Sequence, residues 1–187
     1  MPTGYKIDNQ EGLYYFTFQV VEWVDVFTRQ EICDIFVNDL RYCQQNKGLV
    51  LYAWVLMSNH AHILAQSSVN DLSGLVRDFK KHTSKAIVDY IQTERESRRE
   101  WMLNIFSNAA SKTNRNKDYQ VWTHENHAEQ VFTDSFLKEK LEYIHNNPVR
   151  AGIVEKSEHY IYSSAKNYAG EKGLLELEIL TTKWKTY

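Results

Sequence analysis

Residues 52–66 read Tyr-Ala-Trp-Val-Leu-Met-Ser-Asn-His-Ala-His-Ile-Leu-Ala-Gln, two short apolar runs broken by Ser58-Asn59. Runs this short, interrupted by turn-forming residues, specify two strands joined tightly. Strand side chains alternate between faces, so His60 and His62 share one face while Ala61, Ile63 and Ala65 point to the other. Two imidazoles side by side make half a metal site. Taken alone, the pair also fits an incidental arrangement, with one histidine hydrogen-bonded in a core and the other in solvent.

The rest of the chain is arranged around this hairpin. Between Leu13 and Val20, Tyr14, Phe16, Phe18 and Val20 form an apolar face opposite Thr17 and Gln19, the pattern of a strand. Arg29–Asn46 carries Ile32, Ile35, Phe36, Leu40 and Cys43 at close to a 3.6-residue period, and Lys47-Gly48 predicts its end. After the hairpin, Asn70 or Asp71 can cap a helix with an apolar face of Leu72, Leu75, Val76, Phe79, Ile87, Tyr90 and Ile91. The order to that point is βαββα. Residues 95–118 are less regular: a charged run, an apolar patch from Trp101 to Phe106, and a polar stretch from Ser111 to Lys117, read as a short helix and a mobile loop. Tyr119–Thr123 predicts an edge or fourth strand. Thr133 or Asp134 then caps a helix that buries Phe136, Leu137, Leu141 and Ile144 and should end near Asn147, because Pro148 restricts the residue before it. No repeat or linker divides the chain, so a single domain over 1–187 is expected, with an insertion at about 95–118.

On the second predicted helix, Arg77, Lys80, Lys81 and Lys85 lie three to four residues apart, forming a basic stripe beside the apolar face. It reads as a solvated face or as a ridge that neutralises phosphates. The composition does not decide between them. At 187 residues, 43% apolar and 25% charged, the chain is ordinary globular protein, and its net charge of -2 supplies no overall field for a polyanion. Nucleic-acid binding would need a local basic surface. No apolar run approaches the ~20 residues of a membrane span, and the N-terminus lacks a signal-peptide core, so a cytoplasmic protein is expected. Cys33 and Cys43 fall in one predicted helix at a rise of roughly 15 Å, too far for a disulfide.

Three segments coincide: Met57-Ser58-Asn59-His60-Ala61-His62, Tyr143-Ile144-His145-Asn146-Asn147-Pro148-Val149-Arg150-Ala151-Gly152, and Tyr162-Ser163-Ser164-Ala165. Together they resemble the single-tyrosine HUH transposases, and within them the REP-associated tyrosine transposase-like group with its IS200-like transposase domain. The resemblance runs from about Tyr14 to at least Ala169. It implies an α+β fold: a ferredoxin-like βαββαβ core with an antiparallel sheet, helices on one face and a C-terminal catalytic helix. It also implies a homodimer, a divalent metal (Mg2+ or Mn2+), and cleavage and rejoining of single-stranded or hairpin DNA through a 5'-phosphotyrosine. By position, His60 and His62 resemble the metal ligands, Tyr143 the nucleophile and Asn147 a third polar ligand. Ser58 stands where relatives often have proline, and Ala61 is a small version of the central hydrophobe. Thr123-His124-Glu125 departs from the glutamine-containing segment of the group, so His124 and Glu125 receive no role.

The residue chemistry is compatible with that assignment. A tyrosine oxygen can hold a phosphoryl group covalently and also leave in the reverse step, as a strand transferase requires. Asn147 reads either as a ligand or as a helix C-cap before Pro148, and Arg150 either as a phosphate contact or as a charge at the helix C-terminus. Three functions follow: a metal-dependent nickase and strand transferase, a non-cleaving module that binds hairpin DNA or RNA on the same fold, and a metallohydrolase in which Tyr143 is dispensable. Intact His60, His62 and Tyr143 favour the first.

Overall fold

The computed structural model describes residues 6–113 and 118–180. The Asn114–Lys117 part of the expected polar loop lies outside the described residues. The elements are β1 (Tyr14–Gln19), α1 (Gln30–Asn46), β2 (Leu49–Leu56), β3 (His60–Ser67), α2 (Leu72–Thr93), α3 (Arg99–Ser111), β4 (Glu129–Gln130), α4 (Asp134–Arg150) and the short α5 (Ala165–Tyr168). Single 3-10 turns lie at Val21–Trp23 and Ser157–His159. The strands form one antiparallel sheet in the order β2-β3-β1-β4. This is the α+β, βαββαβ arrangement expected from the sequence, with α3 added.

Local chemistry sets most boundaries. Asp71 is the cap of α2, its carboxylate accepting from the Gly74 N–H at 3.0 Å, while Asn70 takes a left-handed φ of 57° that turns the chain into it. Thr133 caps α4 by accepting from the Phe136 N–H at 3.2 Å. The end of α4 differs from the sequence expectation. Pro148 lies inside the helix, which runs on to Arg150. Proline deletes one N–H and leaves the following turn intact, and the true stop is Gly152 at φ 72°. There the Gly152 N–H reaches the Val149 carbonyl and the Ile153 N–H reaches the Pro148 carbonyl, the paired bonds of a Schellman end.

One further expectation is corrected. Tyr119–Thr123 is not a strand: it makes one bridge, Trp122 to Val20, and the fourth strand is the two-residue β4 paired to Tyr14 and Tyr15. Both stretches follow the outer edge of β1, with Val21 N–H to the Val121 carbonyl, Thr123 N–H to the Gln19 carbonyl and Thr17 N–H to the Asn126 carbonyl. Within 95–118, the expected short helix is α3. It buries Met102, Phe106 and Ala110 at four-residue spacing, while Trp101 faces outward, 52% exposed.

The sheet separates two apolar clusters. On one side α1 and α2 close over Phe16, Phe18, Leu51, Trp54, Ile63 and Phe79, joined by Trp122. Cys33 and Cys43 are free and buried there. On the other side α4 crosses β2 and β3, and Leu141 and Ile144 pack on Tyr15, Ala53, Val55, Met57 and Leu64. Both long edges are covered by the chain itself. Residues 121–131 lie along β1, and the outer edge of β2 pairs with the Tyr162–Ser164 segment and with the Glu178 N–H. No helix among the described residues is long and apolar enough to cross a membrane.

Candidate active site

The α4 side of the sheet holds an open cleft of about 750 Å³. Its floor is set by strand register: Thr17 pairs with His62 and Gln19 with His60, so all four side chains, with Tyr15, stand on the face opposite the large core. Its wall is one stripe of α4. Lys140, Tyr143, Asn147 and Arg150 recur at three- to four-residue spacing and, with Glu139 beside them, line the cleft. The His60 and His62 ring centroids are 4.9 Å apart, and His62 is 5.1 Å from Tyr143, edge to face. The structure therefore brings His60, His62, Tyr143, Asn147 and Arg150 together within one chain.

His62 is 4% exposed. Its Nδ1 lies 2.7 Å from the Tyr15 hydroxyl and 3.0 Å from Thr17 Oγ1, whereas its buried Nε2 has no hydrogen-bond partner. Burial, then the neighbouring His60 and Lys140 charges, pulls this imidazole down to about 3, so it is neutral at pH 7. Burial lowers His60 as well. A buried ring nitrogen without a partner costs free energy unless something accepts its lone pair or proton, and a divalent cation fits that requirement. Among the described residues no three His, Cys, Asp or Glu side chains group closely enough to hold a metal. The side chains in the cleft that could hold a metal by the expected pattern are His60 and His62, with the Asn147 amide on the facing wall. The C-cap reading of Asn147 falls away, since it lies a full turn inside α4.

Two phenols face the cleft, and their settings differ. Tyr15 is buried, and that burial holds its pKa above the usual phenol value, so it stays a neutral hydroxyl whose oxygen can accept from His62 Nδ1–H and leave Nε2 bare. Tyr143 is 37% exposed, its ring 6.4 Å from that of Tyr15 and 5.2 Å from the Arg150 guanidinium carbon. Tyr160 and Tyr162 do not line the cleft. The position of α4 is fixed by contacts from the second and third quoted segments: His145 Nε2 meets Ser164 Oγ at 2.9 Å, and that hydroxyl accepts from the Trp54 N–H on β2.

The basic stripe lies elsewhere. α2 packs on the sheet face opposite the histidines, so Arg77, Lys81 and Lys85 are exposed on the far side from the cleft, and Arg77 pairs with Asp78 at 2.9 Å. Lys80 leaves the stripe altogether. Its ammonium donates to the Thr123 carbonyl at 2.7 Å and to Asn126 Oδ1 at 2.5 Å, and burial brings its pKa down to about 8. It fastens the β1-edge segment. Sequence reading did not single out the floor residue Tyr15, the wall residue Lys140 or the rim residue Trp23, which is 56% exposed with its ring 5.9 Å from His60.

The fold is that of an α+β domain with a four-stranded antiparallel sheet, and comparison with known proteins finds it among solved structures. A REP-associated tyrosine transposase bound to a REP hairpin superposes with a TM-score of 0.61, at 15% identity over 97% of this chain and 95% of that one. No family model matches the sequence, and no curated protein matches it.

Proposed function

We propose that the chain is a metal-dependent single-stranded DNA nickase and strand transferase, acting as a transposase or a domesticated relative of one. The observation that carries this reading is the meeting of His60 and His62 from β3 with Tyr143 from α4 in one cleft, the His62 and Tyr143 rings 5.1 Å apart. In this reading the Tyr143 oxygen attacks a backbone phosphorus, the bond to the 3' oxygen breaks, and a 5'-phosphotyrosine and a free 3'-hydroxyl result. The phenol proton passes to water at the open mouth of the cleft. Attack by a 3'-hydroxyl on the phosphotyrosine reverses the step and rejoins a strand. Mg2+ or Mn2+ held by His60, His62 and Asn147 would supply Lewis-acid polarisation of the scissile phosphate, and the mixed nitrogen and oxygen set suits Mn2+. Arg150 provides a guanidinium beside Tyr143 for a phosphate oxygen.

The hairpin in the fold neighbour supports DNA as the partner class, and hairpin DNA is the substrate to try first. Incubation with labelled single-stranded hairpin DNA and Mn2+ should give a denaturation-resistant protein–DNA adduct that disappears in Tyr143→Phe. Hairpin binding without any adduct, across Mg2+ and Mn2+, would establish the non-cleaving module instead. The homodimer implied by the resemblance is part of this proposal, although among the described residues both long sheet edges are already covered by the chain's own segments. Sedimentation at micromolar concentration tests it, a single species near 22.1 kDa counting against it.

A further inference from the structure

Asn59, the residue before the histidine pair, stands at the centre of a directional chain of hydrogen bonds. Its Nδ2 donates to Asp25 Oδ1 at 2.9 Å and lies 3.4 Å from the Trp23 carbonyl oxygen. A carboxylate and a carbonyl can only accept, so the nitrogen end of the amide must face them. The oxygen end is thereby turned to His60, where Asn59 Oδ1 lies 2.8 Å from Nδ1. An acceptor at that distance requires the imidazole proton to be on Nδ1. The arrangement is held by backbone bonds on either side, Val20 N–H to the Asn59 carbonyl and Phe27 N–H to the Ser58 carbonyl, which fix the segment carrying Asp25 against the turn.

His62 has no such instruction. Its Nδ1 faces the hydroxyls of Tyr15 and Thr17, each able to donate or accept. Of the two histidines, only His60 has its proton placed by a group of fixed polarity.

We infer that Asn59, oriented by Asp25, is a positioning residue that holds His60 in its Nδ1-protonated form and so presents the Nε2 lone pair to a divalent cation in the cleft. The tautomer itself follows from the hydrogen bonds alone, and the consequence for cation binding rests on the metal reading proposed above. Neither Asn59 nor Asp25 touches the cation. They act through His60, as outer groups commonly set the orientation and proton position of a ligating imidazole.

The test is nitrogen NMR of imidazole-labelled, metal-free protein, run beside Mn2+ titration calorimetry. In the unaltered chain His60 should show a protonated Nδ1 and a bare Nε2. Asn59→Ala removes the acceptor, and His60 should move to the Nε2-protonated form that free imidazole favours, with Mn2+ affinity reduced about tenfold. The exchange Asn59→Asp/Asp25→Asn reverses the donor between the two side chains and leaves a carboxylate oxygen facing His60, so it should keep the proton on Nδ1, with affinity within about threefold of the parent; a merely structural Asn59 would fail in both variants alike. Asp25→Ala frees the amide to turn over and should give a mixture of tautomers, and it decides the matter if Asn59→Ala does not fold. His62 resonances unchanged across the series report an intact fold. His60 protonated on Nε2 in the parent protein, or a tautomer and affinity indifferent to Asn59→Ala, would overturn the inference. A tautomer that responds to Asn59 in a chain that binds no Mn2+ would uphold the proton relay and sink the metal reading.

Discussion

The two faces of the sheet are built from the same strands and serve opposite ends. Toward α1 and α2, β1 and β3 present Phe16, Phe18, Ala61, Ile63 and Ala65, sealed by Phe36, Phe79 and Trp122 with ring centroids 5.2 to 6.2 Å apart. Toward α4 the alternate residues are Tyr15, Thr17, Gln19, His60 and His62, and only a small apolar cluster around Leu64, Leu141 and Ile144 anchors the helix. Close packing on one side fixes the strand register, and the register in turn sets Thr17 opposite His62 without needing a second core around the cleft. Core-facing and cleft-facing residues are thus separated by a period of two along each strand.

A pair of substitutions, one on each face, should give the largest effects. Tyr143→Phe should remove all adduct formation while leaving stability within about 0.5 kcal/mol, because a single exposed oxygen is lost. Phe79→Ala on the other face should cost about 3–5 kcal/mol of stability through lost burial and a cavity, with adduct formation per folded molecule retained. Thermal melts and adduct assays on both variants measure the separation; loss of the adduct in folded Phe79→Ala would show the faces to be coupled. An adduct surviving in Tyr143→Phe would point to Tyr15 as the attacking phenol, the other tyrosine in the cleft.

Acid should act on the α4 face first. Burial, with smaller contributions from His60 and Lys140, brings His62 to about 3, and burial brings His145 to about 4, against about 6.5 in an unfolded chain. Below 6.5 the unfolded chain binds protons that the folded chain refuses. Stability is therefore full above that pH and falls as pH drops toward 4, with a slope of up to about 1.4 kcal/mol per pH unit for each histidine. Melts from pH 7.5 to 4.5 should show this loss, and His62→Gln should flatten the profile. Phe79→Ala should lower the whole curve without changing its slope. A slope unaffected by His62→Gln would mean that other groups carry the acid sensitivity.

Asn147→Ala gives a smaller effect with a diagnostic sign. As a ligand, Asn147 should lower Mn2+ affinity about tenfold when lost. Its place within α4 means that alanine, the better helix former, should leave the melting temperature unchanged or slightly raised. Calorimetric titration and melts on one sample decide this; a melting temperature lowered with metal affinity intact would return Asn147 to a structural role.

What was legible in the sequence follows strict periodicity. The alternation of residues 60–65 gave the correct face for both histidines, and the four-residue step from Tyr143 to Asn147 placed them on one side of α4. The same alternation that set Thr17 and Gln19 opposite the apolar face also contains Tyr15, a signal present but masked by the apolar character of tyrosine. β4 was not legible, because two polar residues, Glu129 and Gln130, have no period of their own and become a strand only by pairing with β1. Pro148 does not mark the helix stop, since a proline near a helix end removes a single bond and Gly152 supplies the actual turn. Lys80 has stripe spacing, yet its partners are the Thr123 carbonyl and Asn126, which only tertiary structure brings within reach.

With Lys80 withdrawn, the ridge on α2 consists of Arg77, Lys81 and Lys85, and it shares no surface with the cleft. We propose that it contacts the backbone of a hairpin stem and takes no part in the chemistry. The charge-reversed double variant Lys81→Glu/Lys85→Glu should then weaken hairpin binding several-fold at moderate salt and lower the slope of log affinity against log salt by about 1–2, the change expected for one or two lost phosphate contacts. The rate of adduct formation at saturating DNA should stay at the parent value, because Tyr143 lies on the other side of the sheet from α2. Fluorescence anisotropy across a salt series, with adduct rates on the same preparations, provides both readouts. An unchanged affinity and salt slope would reduce the ridge to a solvated helix face. A slower saturated rate would mean that the α2 face reaches the chemistry after all, and that the two sides of the sheet are less independent than their packing indicates.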